Sequence, residues 1–115
     1  MVLCDDEATI RKLYRRALRS YDVDLVDAPD GEQCLELVAR LRPELVVLDL
    51  TLPGRSGFDV LPEICVLSPT SRVVVVSGMV TMDVVDEALA LGATACVEKV
   101  QFVPQLRAMV RELAR

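Results

Sequence analysis

Residues 45–49 read Leu45-Val46-Val47-Leu48-Asp49, and this stretch decides the fold. The run is short, apolar and rich in branched side chains, and it does not alternate between apolar and polar positions. Such a run is typical of a strand buried on both faces, as in a parallel sheet covered by helices. A carboxylate at the carboxyl end of such a strand lies in the crevice where open α/β sheets bind ligands. Asp49 is therefore the first candidate functional residue.

Strand-like and helix-like stretches alternate five times along the chain. The predicted strands are residues 1–4, 23–26, 45–49, 72–77 and 93–98. The predicted helices are residues 8–20, 31–42, a stretch that begins at residue 57, 82–91 and 102–115. This alternation predicts a parallel sheet with right-handed crossovers and helices on both faces. We expect a flavodoxin-like, doubly wound (βα)5 fold with the strand order 2-1-3-4-5.

The first predicted helix has two unlike faces. Apolar residues recur at helical spacing and predict a face toward the core: Ile10, Leu13, Tyr14, Ala17 and Leu18. The opposite face carries five of the thirteen cations of the chain: Arg11, Lys12, Arg15, Arg16 and Arg19. A solvated face is the simpler interpretation. A docking surface for an acidic partner is the alternative, because the rest of the chain is acidic. In the third helix, Pro62 lies beyond the first turn, so we expect a kink or a displaced start.

Length and composition narrow the classes of function. The chain has 115 residues, which predicts one domain spanning residues 1–115. Its net charge of −5 argues against direct nucleic-acid binding. No apolar run is long enough to span a membrane, and the acidic residues 5–7 argue against a signal peptide. The four cysteines are widely spaced, so we expect buried thiols in a reducing cytoplasm. The chain has no histidine, which excludes Ser-His and Cys-His nucleophile pairs.

Polar residues follow four of the five predicted strands. Asp5 and Asp6 follow the first strand, Asp49 ends the third, Ser77 ends the fourth and Lys99 follows the fifth. The carboxyl ends of parallel strands share one edge, so these side chains should meet there. Carboxylates this close repel one another, and Mg²⁺ relieves the repulsion while it leaves room for phosphate oxygens. Lys99 adds a positive charge suited to a phosphoryl group. Together, these residues predict phosphoryl transfer to a carboxylate.

At these positions the chain resembles the receiver domain of two-component response regulators. The resemblance covers essentially all 115 residues, and its motifs are highly specific in combination. It rests on Asp5-Asp6-Glu7, on residues 48–54 with Gly57 behind them, on Val76-Ser77-Gly78, on Gly92-Ala93 and on Lys99.

The family implies a role for each matching residue. Asp49 would accept a phosphoryl group from a sensor histidine kinase or a phosphotransfer protein. Asp6 and Asp49 would ligate Mg²⁺ directly, Asp5 would act through water, and the backbone carbonyl of Thr51 would complete the protein ligands. The resemblance thus implies a signalling switch that catalyses only its own phosphorylation chemistry and is not an enzyme with an external substrate.

Two further residues would carry the signal outward. Lys99 would pair with the phosphoryl oxygens, and Ser77 would move toward the phosphoryl group. The family's usual surface for output or for a homodimer is formed by helix 4, strand 5 and helix 5. An output domain or a downstream protein would be the receiving partner.

The chain departs from the family pattern at three positions. Cys96 stands where the family usually has an aromatic residue whose rotation accompanies the movement of the serine. Val100 follows the lysine where proline is usual, so we expect a trans Lys99–Val100 bond and a reshaped loop, since a cis bond there would cost about 3–4 kcal/mol. Gly78 replaces a common alanine and should open the entrance to Asp49.

Two other functions are consistent with part of the pattern. A pseudo-receiver, which is a protein-binding module that works without phosphorylation, would tolerate Cys96 and Val100 but would not need the complete polar site. A haloacid-dehalogenase-type phosphatase also uses an aspartyl phosphate, but it needs a second Asp where this chain has Thr51. A P-loop nucleotide enzyme is excluded because the chain contains no GxxxxGK[ST] motif.

Overall fold

The computed structural model describes residues 1–21, 23–99 and 102–113. Five strands form one parallel sheet in the order β2-β1-β3-β4-β5, which confirms the predicted fold class. The strands are β1 (Val2–Cys4), β2 (Val26–Ala28), β3 (Leu45–Asp49), β4 (Arg72–Ser77) and β5 (Ala95–Glu98). The helices are α1 (Ala8–Ala17), α2 (Gly31–Leu41), α3 (Gly57–Leu67), α4 (Met82–Ala90) and α5 (Phe102–Leu113).

Strand β3 lies at the centre of the sheet, between β1 and β4. All five of its residues are buried, because helices cover both faces of the sheet as the unbroken apolar run predicted. Its register with β4 runs from Leu45 opposite Arg72 to Asp49 opposite Val76. Asp49 therefore lies at the carboxyl edge of the sheet, where the ends of β1, β4 and β5 also lie.

The side chains of β3 divide the core into two layers. Val46 and Leu48 pack with a cluster that includes residues of α2, α3 and α4. Leu45 and Val47 point to the other face, where they join residues of α1 and α5. In that second layer the rings of Tyr14 and Phe102 meet edge to face, with centroids 5.7 Å apart. No helix in the described part of the chain is long and apolar enough to cross a membrane.

Strand β2 begins later than predicted. Residues 23–26 were expected to form it, whereas the observed strand is Val26–Ala28. Pairing with β1 sets this register, since Val2 lies opposite Val26 and Cys4 opposite Ala28. The strand is at the sheet edge, so Asp27 can turn to the surface, where it forms ion pairs with Arg11 and Arg15.

Some details of the helices also differ from the predictions. Helix α1 ends at Ala17 instead of residue 20, and Leu13 is 45% exposed, so its assignment to the core was wrong. Tyr14, Ala17 and Leu18 occupy the face toward the sheet, which leaves Leu13 at the outer edge of the apolar stripe. Pro62 lies inside α3, yet α3 starts at Gly57 as predicted, with Ser56 as its N-cap, so the start is not displaced.

The remaining points concern β5 and the residues after it. Strand β5 begins at Ala95 and not at residue 93. The predicted trans Lys99–Val100 bond and the last two residues of the fifth predicted helix lie outside the described residues.

Gly57 fixes how closely α3 approaches the end of β3. A Cβ atom at this position would lie 2.5 Å from the carbonyl oxygen of Asp49 and 2.8 Å from the Cα of Leu50. The Gly57 N–H donates to the carbonyl of Leu50 over 2.9 Å. The absence of a side chain at Gly57 therefore allows the backbone contact that supports the loop after Asp49.

We expect the G57A substitution to lower the free energy of unfolding by about 1–3 kcal/mol, because the added methyl group forces backbone atoms apart. G78A is the matched control, since a Cβ at Gly78 meets nothing within 4 Å. Its effect should stay within about 0.5 kcal/mol. Urea unfolding of both variants measures the difference, and equal stabilities would show that Gly57 does not limit the packing.

Candidate functional site

Asp49 is buried at the end of β3, and both of its carboxylate oxygens are engaged. Oδ1 accepts a hydrogen bond from the Thr51 N–H over 3.1 Å, and Oδ2 accepts one from Lys99 Nζ over 2.8 Å. The N–H of Leu50 donates to the carbonyl of Val76, which extends the β3–β4 pairing one residue past the strand. The carboxylate is therefore held by backbone on one side and by an ammonium on the other.

Lys99 directly follows β5 and reaches into the acidic centre of the site. Its Nζ lies 2.8 Å from Asp49 Oδ2, 3.2 Å from Asp5 Oδ2 and 3.2 Å from Glu7 Oε1. Burial alone would lower the pKa of Lys99, but the hydrogen bond and charge of Asp49, with smaller contributions from Glu7 and Asp5, raise it above its ordinary value. The side chain is therefore charged at neutral pH.

Asp5 follows β1 and is almost completely buried. Its Oδ1 accepts a hydrogen bond from the Glu7 N–H over 2.9 Å. Its Oδ2 lies near the Lys99 ammonium, but among the described residues it receives no hydrogen bond with good geometry. Burial raises the pKa of Asp5 and the charge of Asp49 adds to the increase, although the Glu7 N–H and Lys99 act in the opposite direction. Asp5 is a buried carboxylate whose charge is incompletely compensated.

Four acidic residues meet at the mouth of the site. Asp5, Asp6, Glu7 and Asp49 each offer one carboxylate oxygen, and these four oxygens lie within 4.8 Å of one another. The donors are all hard oxygen atoms, and the Asp5 oxygen without a hydrogen-bond donor faces the Lys99 side of this cluster. These features fit an oxygen-preferring divalent cation such as Mg²⁺.

The predicted site residues thus come together in part. The structure brings together the side chains of Asp5, Asp6, Asp49 and Lys99. The N–H of Thr51 contacts Asp49. The use of the Thr51 carbonyl as a metal ligand stays a prediction.

Ser77 lies at the same edge, but its hydroxyl is turned into its own loop. Its Oγ donates to the carbonyl of Met79 over 2.9 Å and accepts a weaker bond from the Met79 N–H. Among the described residues, these are its hydrogen-bond partners. Ser77 is therefore near the end of β4, as expected, with its hydroxyl not bonded to the carboxylates.

Cys96 lies within β5, opposite Val75 of β4. It is half-buried and packs against the core layer that contains α2, α3 and α4. Burial raises the pKa of its thiol, so the thiol is protonated at neutral pH. Together with Val80, Val97 and Gln105, Cys96 lines a shallow surface groove. The side chain that takes the place of the family's aromatic residue is thus small and neutral.

Glu7 contacts Lys99 in the site, and its place in the sequence predicted no role for it. It stands directly after Asp5-Asp6, inside the quoted motif, and a carboxylate adjoining an acidic pair was the signal that could have identified it. Its partner Lys99 lies 92 residues away in the chain, so the contact itself became visible only in the structure.

The chain is similar to known proteins of one family. The family model of the response regulator receiver domain matches residues 1–111. The chain is 28% identical over 112 residues to sporulation initiation phosphotransferase F of Bacillus subtilis, covering 97% of this chain and 90% of that protein. It is 34% identical over 117 aligned positions to a probable transcriptional regulator, ycf27, of Porphyridium aerugineum, covering all of this chain and 48% of that protein.

A solved structure is similar as well. The signal receiver domain of a putative Luxo repressor protein from Vibrio parahaemolyticus superposes with a TM-score of 0.88 at 25% identity, covering 96% of this chain and 85% of that one. The chain spans nearly the whole of the Bacillus subtilis relative but only about half of the Porphyridium aerugineum one.

The buried carboxylate of Asp5 is expected to lower the stability of the folded protein. In buffer without divalent cations, D5N should raise the free energy of unfolding at pH 7 by roughly 1–2 kcal/mol, because it removes a buried, incompletely bonded carboxylate. The folded-state pKa of Asp5 is above its ordinary value, so the folded protein binds this proton more tightly than the unfolded chain does. Wild-type stability relative to D5N should therefore fall as pH rises through that raised pKa.

Thermal and urea unfolding between pH 3 and pH 8 measure this difference. D6N is the control, since Asp6 is exposed and its substitution should change stability by less than about 0.5 kcal/mol. If D5N is less stable than the wild type at pH 7, the assignment of Asp5 as a destabilising charge is incorrect.

Proposed function

The chain belongs to the response regulator receiver family of two-component systems, and on this premise we propose that it is a phosphorylation-dependent signalling switch in which Asp49 accepts the phosphoryl group. The observation that carries the proposal is the contact between Asp49 Oδ2 and Lys99 Nζ within a cluster of carboxylates. A buried carboxylate that faces an ammonium is positioned both to attack phosphorus and to have the incoming charge neutralised.

The proposed reaction transfers one phosphoryl group. A carboxylate oxygen of Asp49 forms a bond to phosphorus while the bond between phosphorus and the leaving group breaks. The leaving group, which is the imidazole of a phosphohistidine or the acetate of acetyl phosphate, keeps the electron pair, and the imidazole then takes a proton from solvent. Lys99 faces the phosphoryl oxygens as they arrive. Receiver domains are signalling domains, and this chemistry would modify only the chain itself.

We propose that Asp5, Asp6, Asp49 and the Thr51 carbonyl hold the divalent cation. When bound, Mg²⁺ supplies positive charge that offsets the carboxylates and the phosphoryl oxygens. Asp6 and Asp49 would be the direct carboxylate ligands, and Asp5 would act through water. The closely spaced oxygens of these carboxylates support this assignment.

Signal output would begin at Ser77. Its hydroxyl would leave Met79 for a phosphoryl oxygen, and the loop between β4 and α4 would follow it. Cys96 is too small to act as a rotating aromatic side chain, so the change would reach the surface through the backbone of this loop. We propose the face formed by α4, β5 and α5 as the surface for an output domain, a downstream protein or a second copy of the chain.

A cytoplasmic location and a single domain over residues 1–115 stay predictions. The cytoplasmic location is supported by the cysteines, since the four described ones, Cys4, Cys34, Cys65 and Cys96, are free thiols.

Incubation with acetyl phosphate and Mg²⁺ tests the central step. Intact-mass spectrometry should show one phosphoryl adduct, mapping to Asp49, that is abolished in D49N and when Mg²⁺ is replaced by a chelator. An adduct that persists in D49N would overturn the assignment of Asp49. A folded wild type that binds Mg²⁺ and is not modified by any donor would favour the pseudo-receiver.

We also propose that the exposed part of α1 docks an acidic kinase or phosphotransfer protein. Arg11 and Arg15 are tied to Asp27, so they contribute less to an open basic surface. Lys12, Arg16 and Arg19 remain exposed beside Leu13, which places an exposed apolar side chain among cations. A net charge of −5 makes this local basic patch unusual within the molecule.

A panel of purified histidine kinases first identifies the one that phosphorylates the wild type fastest. With that kinase, the combined L13D and R16E substitutions should slow phosphoryl transfer by about tenfold, because they remove both the apolar contact and a steering charge. Labelling by acetyl phosphate should be unchanged, since α1 would act only in docking. R40E is the control, because Arg40 is exposed on α2. Equal losses with kinase and with acetyl phosphate would instead indicate damage to the site.

A further inference from the structure

Glu7 is placed at the mouth of the site by the start of α1. It is the N-cap residue of α1, and its carbonyl accepts hydrogen bonds from the N–H groups of Ile10 and Arg11. Its side chain makes no capping hydrogen bond. The carboxylate extends instead to Lys99, with Oε1 3.2 Å from Nζ. The backbone of Glu7 thus serves the helix, while its side chain is directed to the site.

Lys99 therefore shares one ammonium among three carboxylates of unequal exposure. The side chains of Asp5 and Asp49 are only 2% exposed, whereas that of Glu7 is 57% exposed. Asp5 and Asp49 are fixed by backbone hydrogen bonds from Glu7 and Thr51. Among these three, Glu7 is the carboxylate that can leave the ammonium at little energetic cost, because water can solvate it.

We propose that Glu7 is a positioning residue that holds Lys99 from the solvent side and competes with the incoming phosphoryl oxygens for its ammonium. This inference rests on the proposed function of Asp49. A phosphoryl group on Asp49 needs the same ammonium that Glu7 contacts, and the Glu7 carboxylate repels that anion. Glu7 thus slows phosphorylation of Asp49 and shortens the lifetime of the aspartyl phosphate.

The expected size of the effect follows from the exposure of Glu7. Interactions of exposed ion pairs correspond to about a two- to fivefold change in an equilibrium or rate constant. Salt should screen the effect, because Glu7 is in contact with solvent. A purely structural role would not show this dependence on ionic strength.

The test compares E7Q with wild type and with E36Q, which removes an equal charge from an exposed position on α2. With acetyl phosphate and Mg²⁺ at low ionic strength, E7Q should form the adduct about two- to fivefold faster and lose it more slowly by a similar factor. Both differences should shrink in about 1 M salt. E36Q should match the wild type throughout.

A second measurement uses the unmodified protein. The ¹⁵Nζ NMR signal of Lys99 should shift in E7Q and stay in place in E36Q, because Glu7 contacts this ammonium and Glu36 does not. The midpoint temperatures of thermal unfolding of both variants should be close to that of the wild type, since the Glu7 side chain caps no helix.

The outcomes separate the two proposals. A wild type that forms no adduct contradicts the proposed function and, with it, the role of Glu7. A wild type that is labelled at Asp49, with an E7Q variant equal to or slower than it, overturns the role of Glu7 alone. An unchanged Lys99 signal in E7Q also overturns it.

Discussion

The contact of one ammonium with three carboxylates is the interaction on which the site depends. Lys99 lies between Asp5, Glu7 and Asp49, and two of these carboxylates are buried. Without the ammonium, Asp5 and Asp49 would face each other as like charges in a poorly solvated crevice. Removing one partner of a buried ion pair strands the other charge, so Lys99 holds together an arrangement that its neighbours could not maintain alone.

The sheet supplies the geometry for this contact. β3 lies at the centre, β1 on one side and β4 on the other, so the residues that follow these strands reach one edge without long loops. Gly57 lets α3 pack directly against the end of β3, which supports the backbone that binds Asp49. Apolar layers cover the two faces of the sheet, and burial raises the pKa of Asp5 at this edge because it disfavours the charged form. Such local conflict is typical of functional sites.

The sequence predicted the sheet order and the convergence of Asp5, Asp6, Asp49 and Lys99, because unbroken apolar runs locate buried parallel strands and the polar residues stand at their ends. It failed where tertiary contacts decide. Strand β2 was placed too early, because its register is set by pairing with β1. Asp27 fits into this edge strand because Arg11 and Arg15 of α1 form ion pairs with it.

Three other features are visible only in the folded structure. Leu13 fits the helical stripe, yet the turn of α1 leaves it at the margin of the core. Ser77 ends β4 as predicted, and the turn after that strand sets the hydrogen bond from its hydroxyl to Met79. Glu7 meets a residue 92 positions away, a contact that no local pattern encodes.

Binding of a fluoroberyllate, which mimics a phosphoryl group on a carboxylate, tests most directly whether this edge is a phosphoryl acceptor site. Calorimetric titration of the wild type should show saturable binding only when Mg²⁺ is present, and D49N should abolish it. Binding that does not need Mg²⁺, or that survives in D49N, would contradict the central claim that Asp49 and its carboxylate neighbours form a metal-dependent phosphoryl site.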